Sequence, residues 1–182
     1  GLRFSGAGFK VPKPLIEVEG IPMFKRALSS LNALECEKRH TFVILKMHSD
    51  KYGMKDTIRN EIPYADIVEI EEVTRGAVET CVRAENLFHS EEALLVMDCD
   101  LWFRSGPYLK MIKGSINGEE KLDGGLLCFE SDSPRYSYAE IKEGLVIRTA
   151  EKSVISGCAI AGAYYFSKTS IFRNAAAKLL KI

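Results

Sequence analysis

The sequence predicts an α/β fold, a three-layer αβα sandwich built on a mixed sheet, and three observations carry that prediction. Two short runs of contiguous apolar residues, Phe42-Val43-Ile44-Leu45 and Ala93-Leu94-Leu95-Val96-Met97, read as strands covered on both faces, as in a parallel sheet. Helical periodicities separate them. Beyond Asp100 the alternation gives way to strand-like segments with hairpin signals, so antiparallel strands extend a sheet that begins parallel.

Each element has its own signal. Pro22 opens an amphipathic run in which Met23, Ala27, Leu28, Leu31 and Leu34 recur at spacings of three and four, predicting a helix of about four turns. Thr41 to Met47 is a buried strand, Lys51 to Glu61 a polar helix, and Asp66 to Ile70 a short strand. Gly76 to Phe88 is a helix with Ala77, Cys81, Ala84 and Phe88 on one side, followed by the strand Ala93 to Met97. Leu109 to Ile116 reads as a short helix. Gly124 to Glu130, Ser137 to Ile141, Leu145 to Ala150 and Ala159 to Phe166 read as strands, with Glu143-Gly144 as a hairpin turn. Ser167 suits the N-cap of a final helix through Leu180.

Composition limits the function classes. With 182 residues and 46% hydrophobic content, the chain suits one domain with a substantial core. Lys plus Arg equals Asp plus Glu at 25 each, which argues against a nucleic-acid surface or a polybasic membrane patch, so any anion site must be local. No apolar span of roughly 18 residues suggests a membrane helix. Cys36, Cys81, Cys99, Cys128 and Cys158 form no Cys-x-x-Cys pair and fit reduced thiols, hence a cytoplasmic setting. His40, His48 and His89 form no metal pattern. The chain opens on Gly1 without an initiator methionine and runs out inside a helical pattern, so it is expected to be part of a longer protein.

The chemistry-bearing residues cluster after glycines and at strand ends. Gly1-Leu2-Arg3-Phe4, with Lys13 between Pro12 and Pro14, can surround a polyphosphate with backbone amides and two positive charges. The alternative is a surface loop with solvated charges. Asp98-Cys99-Asp100 follows a buried strand, where ligands gather in doubly wound sheets. Two carboxylates at i and i+2 of a strand share a face and can hold Mg2+ together with substrate phosphates. Alternatively, one caps a turn and the other is solvated. Thr74-Arg75-Gly76-Ala77 sits at a helix start, where a planar base can lie against backbone, or where Thr74 is simply an N-cap. Lys152, in Glu151-Lys152 at a strand edge, can meet a phosphate or a sugar, although an exposed Glu-Lys pair is usually just solvated.

Other phosphate and hydrolase motifs are absent. Gly6-Ala7-Gly8 lacks the third glycine of a dinucleotide fingerprint, since position 11 is Val, and there is no Gly-Lys-Ser/Thr triplet or Gly-x-Ser-x-Gly elbow. Taken in order, the pieces resemble the sugar-nucleotidyltransferase family, whose opening signature is Gly-x-Gly-x-Arg-Phe followed by a glycine and Pro-Lys-Pro-Leu-Ile. The chain matches it at Gly1, Arg3, Phe4, Gly8, Pro12, Lys13, Pro14, Leu15 and Ile16. Thr74 to Ala77, Cys99-Asp100, Ser137-Tyr138, Glu151-Lys152, Ser156 and Gly162 to Phe166 extend the resemblance over nearly the whole chain.

That resemblance implies a GT-A-like, Rossmann-like nucleotidyltransferase domain over residues 1–182, with the family's first strand and its C-terminal part lying outside the chain. It implies transfer of a nucleoside monophosphate from a nucleoside triphosphate to a sugar 1-phosphate, or to a similar acceptor such as choline phosphate or another small phosphorylated alcohol, releasing pyrophosphate, in the supply of nucleotide sugars for polysaccharides. Arg3 and Lys13 would be catalytic, and Gly1, Leu2, Arg3, Lys13, Thr74, Gly76, Ala77 and Asp98 would line the nucleotide site. Asp100 would hold Mg2+, and Tyr138, Glu151, Lys152 and Gly162 would meet the acceptor. A homo-oligomer is compatible with this reading. Two departures stand out: Asp98 occupies a position where the family commonly has a neutral residue, and Ser153 follows Glu151-Lys152 where many members have proline. A non-catalytic nucleotide-binding module and a GT-A glycosyltransferase using Asp98-Cys99-Asp100 are the alternatives.

Overall fold

The computed structural model of the chain describes residues 11–181, so Gly1, Leu2, Arg3 and the Gly6 to Gly8 loop lie outside the described residues. A 3-10 turn at Lys13–Leu15 leads into a small antiparallel pair, β1 (Glu17–Val18) and β2 (Ile21–Pro22), and then α1 (Met23–Ser29). α1 is shorter than its apolar periodicity predicts. The Ser29 hydroxyl donates to the carbonyl of Arg26 at 2.6 Å, and Ser30 turns inward to accept from the backbone N–H of Phe103 at 2.9 Å. Beyond them the chain tightens into i to i−3 turns that still bury Leu31 and Leu34.

β3 (Thr41–Leu45) and β4 (Asp66–Ile70) pair in parallel, with Thr41 opposite Asp66 and Leu45 opposite Ile70. The predicted strand ends two residues early because Lys46 already starts α2 (Lys46–Tyr52). The single polar helix expected next is therefore two. Gly53 takes φ 62° at the C-terminus of α2, where its N–H bonds to the carbonyl of Ser49, and α3 (Met54–Glu61) starts immediately after it. Phe24, Ile44, Met54 and Ile58 form a buried cluster between this sheet and α1 and α3.

α4 (Ala77–Val82) follows β4, and the remainder of the predicted helix relaxes into a 3-10 turn at Glu85–Leu87. β5 (Leu94–Met97) joins the second sheet but bonds antiparallel to β9, not parallel as the sequence suggests. Among the described residues only β3 and β4 are parallel neighbours. α5 (Gly106–Ile116) begins earlier than predicted, with Ser105 as N-cap and Pro107 in its first turn. β6 (Gly124–Glu130), β7 (Tyr138–Lys142), β8 (Leu145–Ala150) and β9 (Cys158–Phe166) complete a five-stranded sheet, and the Glu143-Gly144 turn joins β7 to β8 as predicted. α6 (Thr169–Leu180) has Lys168 as its N-cap residue, while Ser167 bonds to the carbonyl of Asp123.

The larger core lies between this sheet and α5, with Phe103, Tyr108, Ile112, Leu127, Ala163 and Tyr165 buried together. The architecture is the mixed α/β arrangement the sequence predicts. None of the described helices is long and apolar enough to cross a membrane.

Candidate functional site

The site grows from a change of partner along β9. Its C-terminal half bonds to β5, from Phe166 opposite Leu94 down to Ala163 opposite Met97. Its N-terminal half meets β7 at Ala159 opposite Tyr138 instead, and Ile160 donates to the carbonyl of Ser137 at 2.7 Å. The two neighbours of β9 thus part at Gly162. A cleft of about 660 Å³ opens there, lined by Asp98, the segment 101–105 that leaves β5, residues 127–129 of β6, the segment 135–137 that enters β7, and Ile160, Ala161, Gly162 and Tyr164 of β9. Such splits at strand ends are where α/β sheets place small-molecule sites, and the volume suits one.

Asp98 sits at the split. Its backbone N–H donates to the carbonyl of Gly162 at 2.9 Å, and Gly162 has φ 78°. A Cβ on Gly162 would come within 2.3 Å of Asp98 Oδ2, so the glycine is required both by its backbone conformation and by the carboxylate lying against it. Partial desolvation on the cleft floor, reinforced by the neighbouring Asp100 carboxylate, raises the Asp98 carboxyl above its usual range, and Lys13 partly offsets this. Asp98 also adds, after burial, to the upward shift of Cys81, which is pushed to about 11; this thiol of α4 is therefore no activated nucleophile.

Lys13 and Asp100 form an ion pair. The residues on either side of Lys13 are prolines, and the 3-10 turn closes with Leu15 donating to the carbonyl of Pro12 at 2.9 Å, so a short stiff segment delivers the ammonium to the end of β5. Each side chain keeps just over a quarter of its surface accessible, 28% for Lys13 and 29% for Asp100, so the pair is reachable from solvent. The two sequence-predicted charges, far apart in the chain, meet at the strand end that also carries Asp98. The two aspartates do not act as a matched pair on one strand face: β5 ends at Met97, Asp98 leans on Gly162, and Asp100 turns to Lys13.

The Thr74 to Ala77 loop is fixed from within. Thr74 Oγ1 lies 2.5 Å from Thr80 Oγ1 and donates to the carbonyl of Gly76 at 3.1 Å. Glu79 reaches back to accept from the backbone N–H of Arg75 at 2.9 Å and from its guanidinium at 3.0 Å, which holds its carboxyl below the usual range. Gly76, not Thr74, is the N-cap residue of α4. Its backbone is fully extended and, among the described residues, nothing lies within 4 Å of where its Cβ would be, so one flat backbone surface beside the helix N-terminus is left uncovered by them.

The structure separates the residues expected to meet an acceptor. Gly162 lines the cleft. Tyr138 is completely buried and donates its hydroxyl to the carbonyl of Ser133 at 2.8 Å, so it braces the 133–137 wall from behind and does not face the cleft. Glu151 and Lys152 form an exposed turn just past β8, paired with each other at 3.3 Å. Because Ala150 pairs with Tyr138, that turn stands at the same end of the hairpin as Tyr136 of the cleft wall, outside the cleft lining itself. Gly1, Leu2 and Arg3 lie outside the described residues.

Sequence reasoning missed Trp102, Arg104, Arg135 and Tyr136, all on the cleft wall. The available signal was composition: Leu-Trp-Phe-Arg directly after Asp100 and Pro-Arg-Tyr directly before β7 place aromatic and basic residues in two loops. Among the described residues no group of three His, Cys, Asp or Glu side chains could hold a metal ion by itself.

No family model and no curated protein sequence matches the chain. Solved structures do. A nucleoside-diphosphate-sugar pyrophosphorylase from Vibrio cholerae superposes with a TM-score of 0.80 at 22% identity, covering 98% of this chain and 74% of that one. The inositol-1-phosphate CTP transferase of T. maritima superposes with a TM-score of 0.70 at 16% identity, over 92% of this chain and 66% of that one. A 4-diphosphocytidyl-2C-methyl-D-erythritol synthase superposes at 0.60 and 15% identity, over 91% and 74%. The split sheet, the strand-end aspartates and the lysine delivered to them therefore stand on a chain with the α/β fold of nucleotide-sugar pyrophosphorylases and related nucleotidyltransferases.

Proposed function

We propose that the chain transfers a nucleoside monophosphate from a nucleoside triphosphate to a phosphorylated acceptor, a sugar 1-phosphate, with release of pyrophosphate. The observation that carries this reading is the meeting of Lys13 with Asp100 at the end of β5, beside the cleft opened by the strand switch. A triphosphate at that point would compete with Asp100 for the Lys13 ammonium, so the lysine is already positioned for the phosphate oxygens it would neutralise. The acceptor phosphate attacks the α-phosphorus in line and pyrophosphate leaves, a reaction that rests on positioning and on neutralising charge. Lys13, together with Arg3 of the opening segment, would hold the triphosphate. The open backbone at Gly76 and Ala77 would receive the base, and Lys152 at the rim would meet the acceptor.

Asp100 supplies hard carboxylate oxygens, the donors Mg2+ takes when it keeps water and shares the rest of its coordination with substrate phosphates. Asp100 would therefore be the residue of this chain that holds such an ion. When bound, such an ion would supply Lewis-acid neutralisation of the phosphate oxygens.

The test is a pyrophosphate-release screen of four nucleoside triphosphates against sugar 1-phosphates and phosphorylated alcohols, with and without Mg2+, on the intact protein. Release with one triphosphate and one sugar 1-phosphate, abolished by chelation, is expected. Saturable nucleotide binding with no release from any combination would instead establish a non-catalytic module.

A further inference from the structure

The cleft wall carries two positive charges that the reaction centre does not use. Arg104 lies over the Trp102 ring with its guanidinium carbon 5.2 Å from the ring centroid, and Arg135 donates from Nε to Ser133 Oγ at 3.2 Å. Among the described residues neither guanidinium pairs with a carboxylate, and Asp98 is the only acidic residue on the cleft wall. Three large aromatic side chains open onto the same space: Trp102, Phe129 and Tyr136 are 47%, 41% and 37% exposed. Phe129 and Tyr136 pack edge to face, ring centroids 5.0 Å apart, so the wall they form is fixed before any ligand arrives.

Aromatic walls alone suit two kinds of small ligand, a sugar ring laid on its C–H face or a quaternary ammonium in an aromatic cage. The guanidiniums decide between them. A cationic head group entering this cleft would face two like charges in a partly desolvated space, whereas an anion gains two charge-assisted, fork-shaped donors. We propose that this cleft is the acceptor subsite, in which Arg104 and Arg135 hold the anionic group of a phosphorylated sugar while its uncharged ring face lies on Trp102, Phe129 and Tyr136. The assignment as an acceptor site rests on the nucleotidyl-transfer reading. The ligand class rests on the cleft itself. It excludes phosphocholine and similar cationic alcohol phosphates as the preferred acceptor.

Trp102 is the only tryptophan in the chain, so its emission reports directly on this wall. The intact protein is titrated with hexose 1-phosphates, the free hexoses, phosphocholine and inorganic phosphate, each with and without a nucleoside triphosphate, under EDTA to prevent turnover. A saturable emission change with a hexose 1-phosphate is expected, with half-saturation at least tenfold higher for the free hexose, inorganic phosphate and phosphocholine. Arg135→Gln and Arg104→Gln are each expected to raise the half-saturation concentration at least tenfold, and Phe129→Ala to raise it without abolishing the inorganic-phosphate response. Tighter binding of phosphocholine than of any hexose 1-phosphate would overturn the proposal, as would no saturable change with any sugar phosphate or unchanged half-saturation in both arginine variants. Binding as expected without pyrophosphate release under Mg2+ would overturn the transfer reading and leave this site standing.

Discussion

The floor of the cleft and its rim are built in opposite ways from similar residues. On the floor Asp98 lies against a glycine that tolerates no side chain, and beside it, at the end of β5, Lys13 is clamped between prolines and paired with Asp100. At the rim, Lys152 is paired with its own neighbour Glu151, and both side chains are about 70% exposed or more, at 69% and 77%. The same chemical pairing, an ammonium with a carboxylate, is thus preorganised in one place and mostly solvated in the other. Preorganised charge lowers a barrier because no reorganisation is needed at the moment of reaction, while a solvated pair contributes little until a ligand orders it. The floor should therefore govern the chemical step, and the rim the capture of the acceptor.

The sharpest way to break that contrast is to remove one charge from each region. Asp100→Asn and Lys13→Ala are each expected to reduce the rate of pyrophosphate release by roughly a hundredfold or more, about 2–4 kcal/mol in the barrier, mainly in kcat. Lys152→Ala should act mainly on the KM for the acceptor, by about tenfold or less, in line with an exposed pair. Steady-state kinetics on the intact protein measures both. Equal losses of kcat at floor and rim would abolish the distinction, and near-normal turnover of Asp100→Asn would overturn the proposed chemistry.

A second prediction asks whether the floor is held by backbone shape. Gly162→Ala forces a side chain onto a residue with φ 78° and drives its Cβ toward the Asp98 carboxylate. A destabilisation of about 1–3 kcal/mol in urea unfolding is expected, the range for a non-glycine residue held in a disfavoured region. Combining it with Asp98→Ala should recover only the steric share, because the backbone strain remains. Gly157, just before β9 and without a positive φ, has nothing among the described residues within 4 Å of where its Cβ would lie and should tolerate alanine.

The floor also shows what a sequence conveys and what it hides. The strands Asp66 to Ile70, Gly124 to Glu130 and Leu145 to Ala150 follow the predicted bounds residue for residue, because alternation and turn residues act locally. The charges of Lys13 and Asp100 were legible too, since a stiff proline-flanked lysine and a strand-end aspartate are unusual on their own. The partner of β5 was not. An apolar run looks the same whether its neighbour is parallel or antiparallel, and only the register with β9 distinguishes them. Nor could periodicity reveal that Tyr138 is sealed behind the wall, or that Arg104 and Arg135, 31 positions apart in the sequence (135 − 104), open onto one cleft. Those facts depend on which strands part at Gly162.

Ser30 offers a smaller test of the same coupling between helix and cleft. Its hydroxyl accepts from the N–H of Phe103, at the base of the segment carrying Trp102 and Arg104. Ser30→Ala leaves that buried donor unsatisfied, and a loss of about 1–3 kcal/mol in urea unfolding is expected. If α1 supports the acceptor wall through this bond, the KM for the acceptor rises in the same variant while the KM for the nucleotide does not.

The smallest expected effect concerns pH. His40 precedes β3, where its carbonyl accepts from the N–H of Asp66. Partial burial, then the nearby Lys38 ammonium, hold its imidazole below the usual value of 6.5. The folded chain therefore binds fewer protons than the unfolded chain in the window between the lowered value and 6.5. Stability contributed by neutral His40 is complete above pH 6.5 and declines as the pH falls through that window. His48, lowered chiefly by burial, adds in the same direction. Thermal unfolding from pH 7.5 to 5 should thus show a falling midpoint in the wild type and a shallower fall in His40→Gln, which keeps the backbone bond and removes the titration. The effect should be smaller than that of Ser30→Ala, because the imidazole is only partly buried. A midpoint that rises on acidification, or an identical slope in His40→Gln, would place the pH sensitivity elsewhere, and with it the weakest point of the β3–β4 sheet.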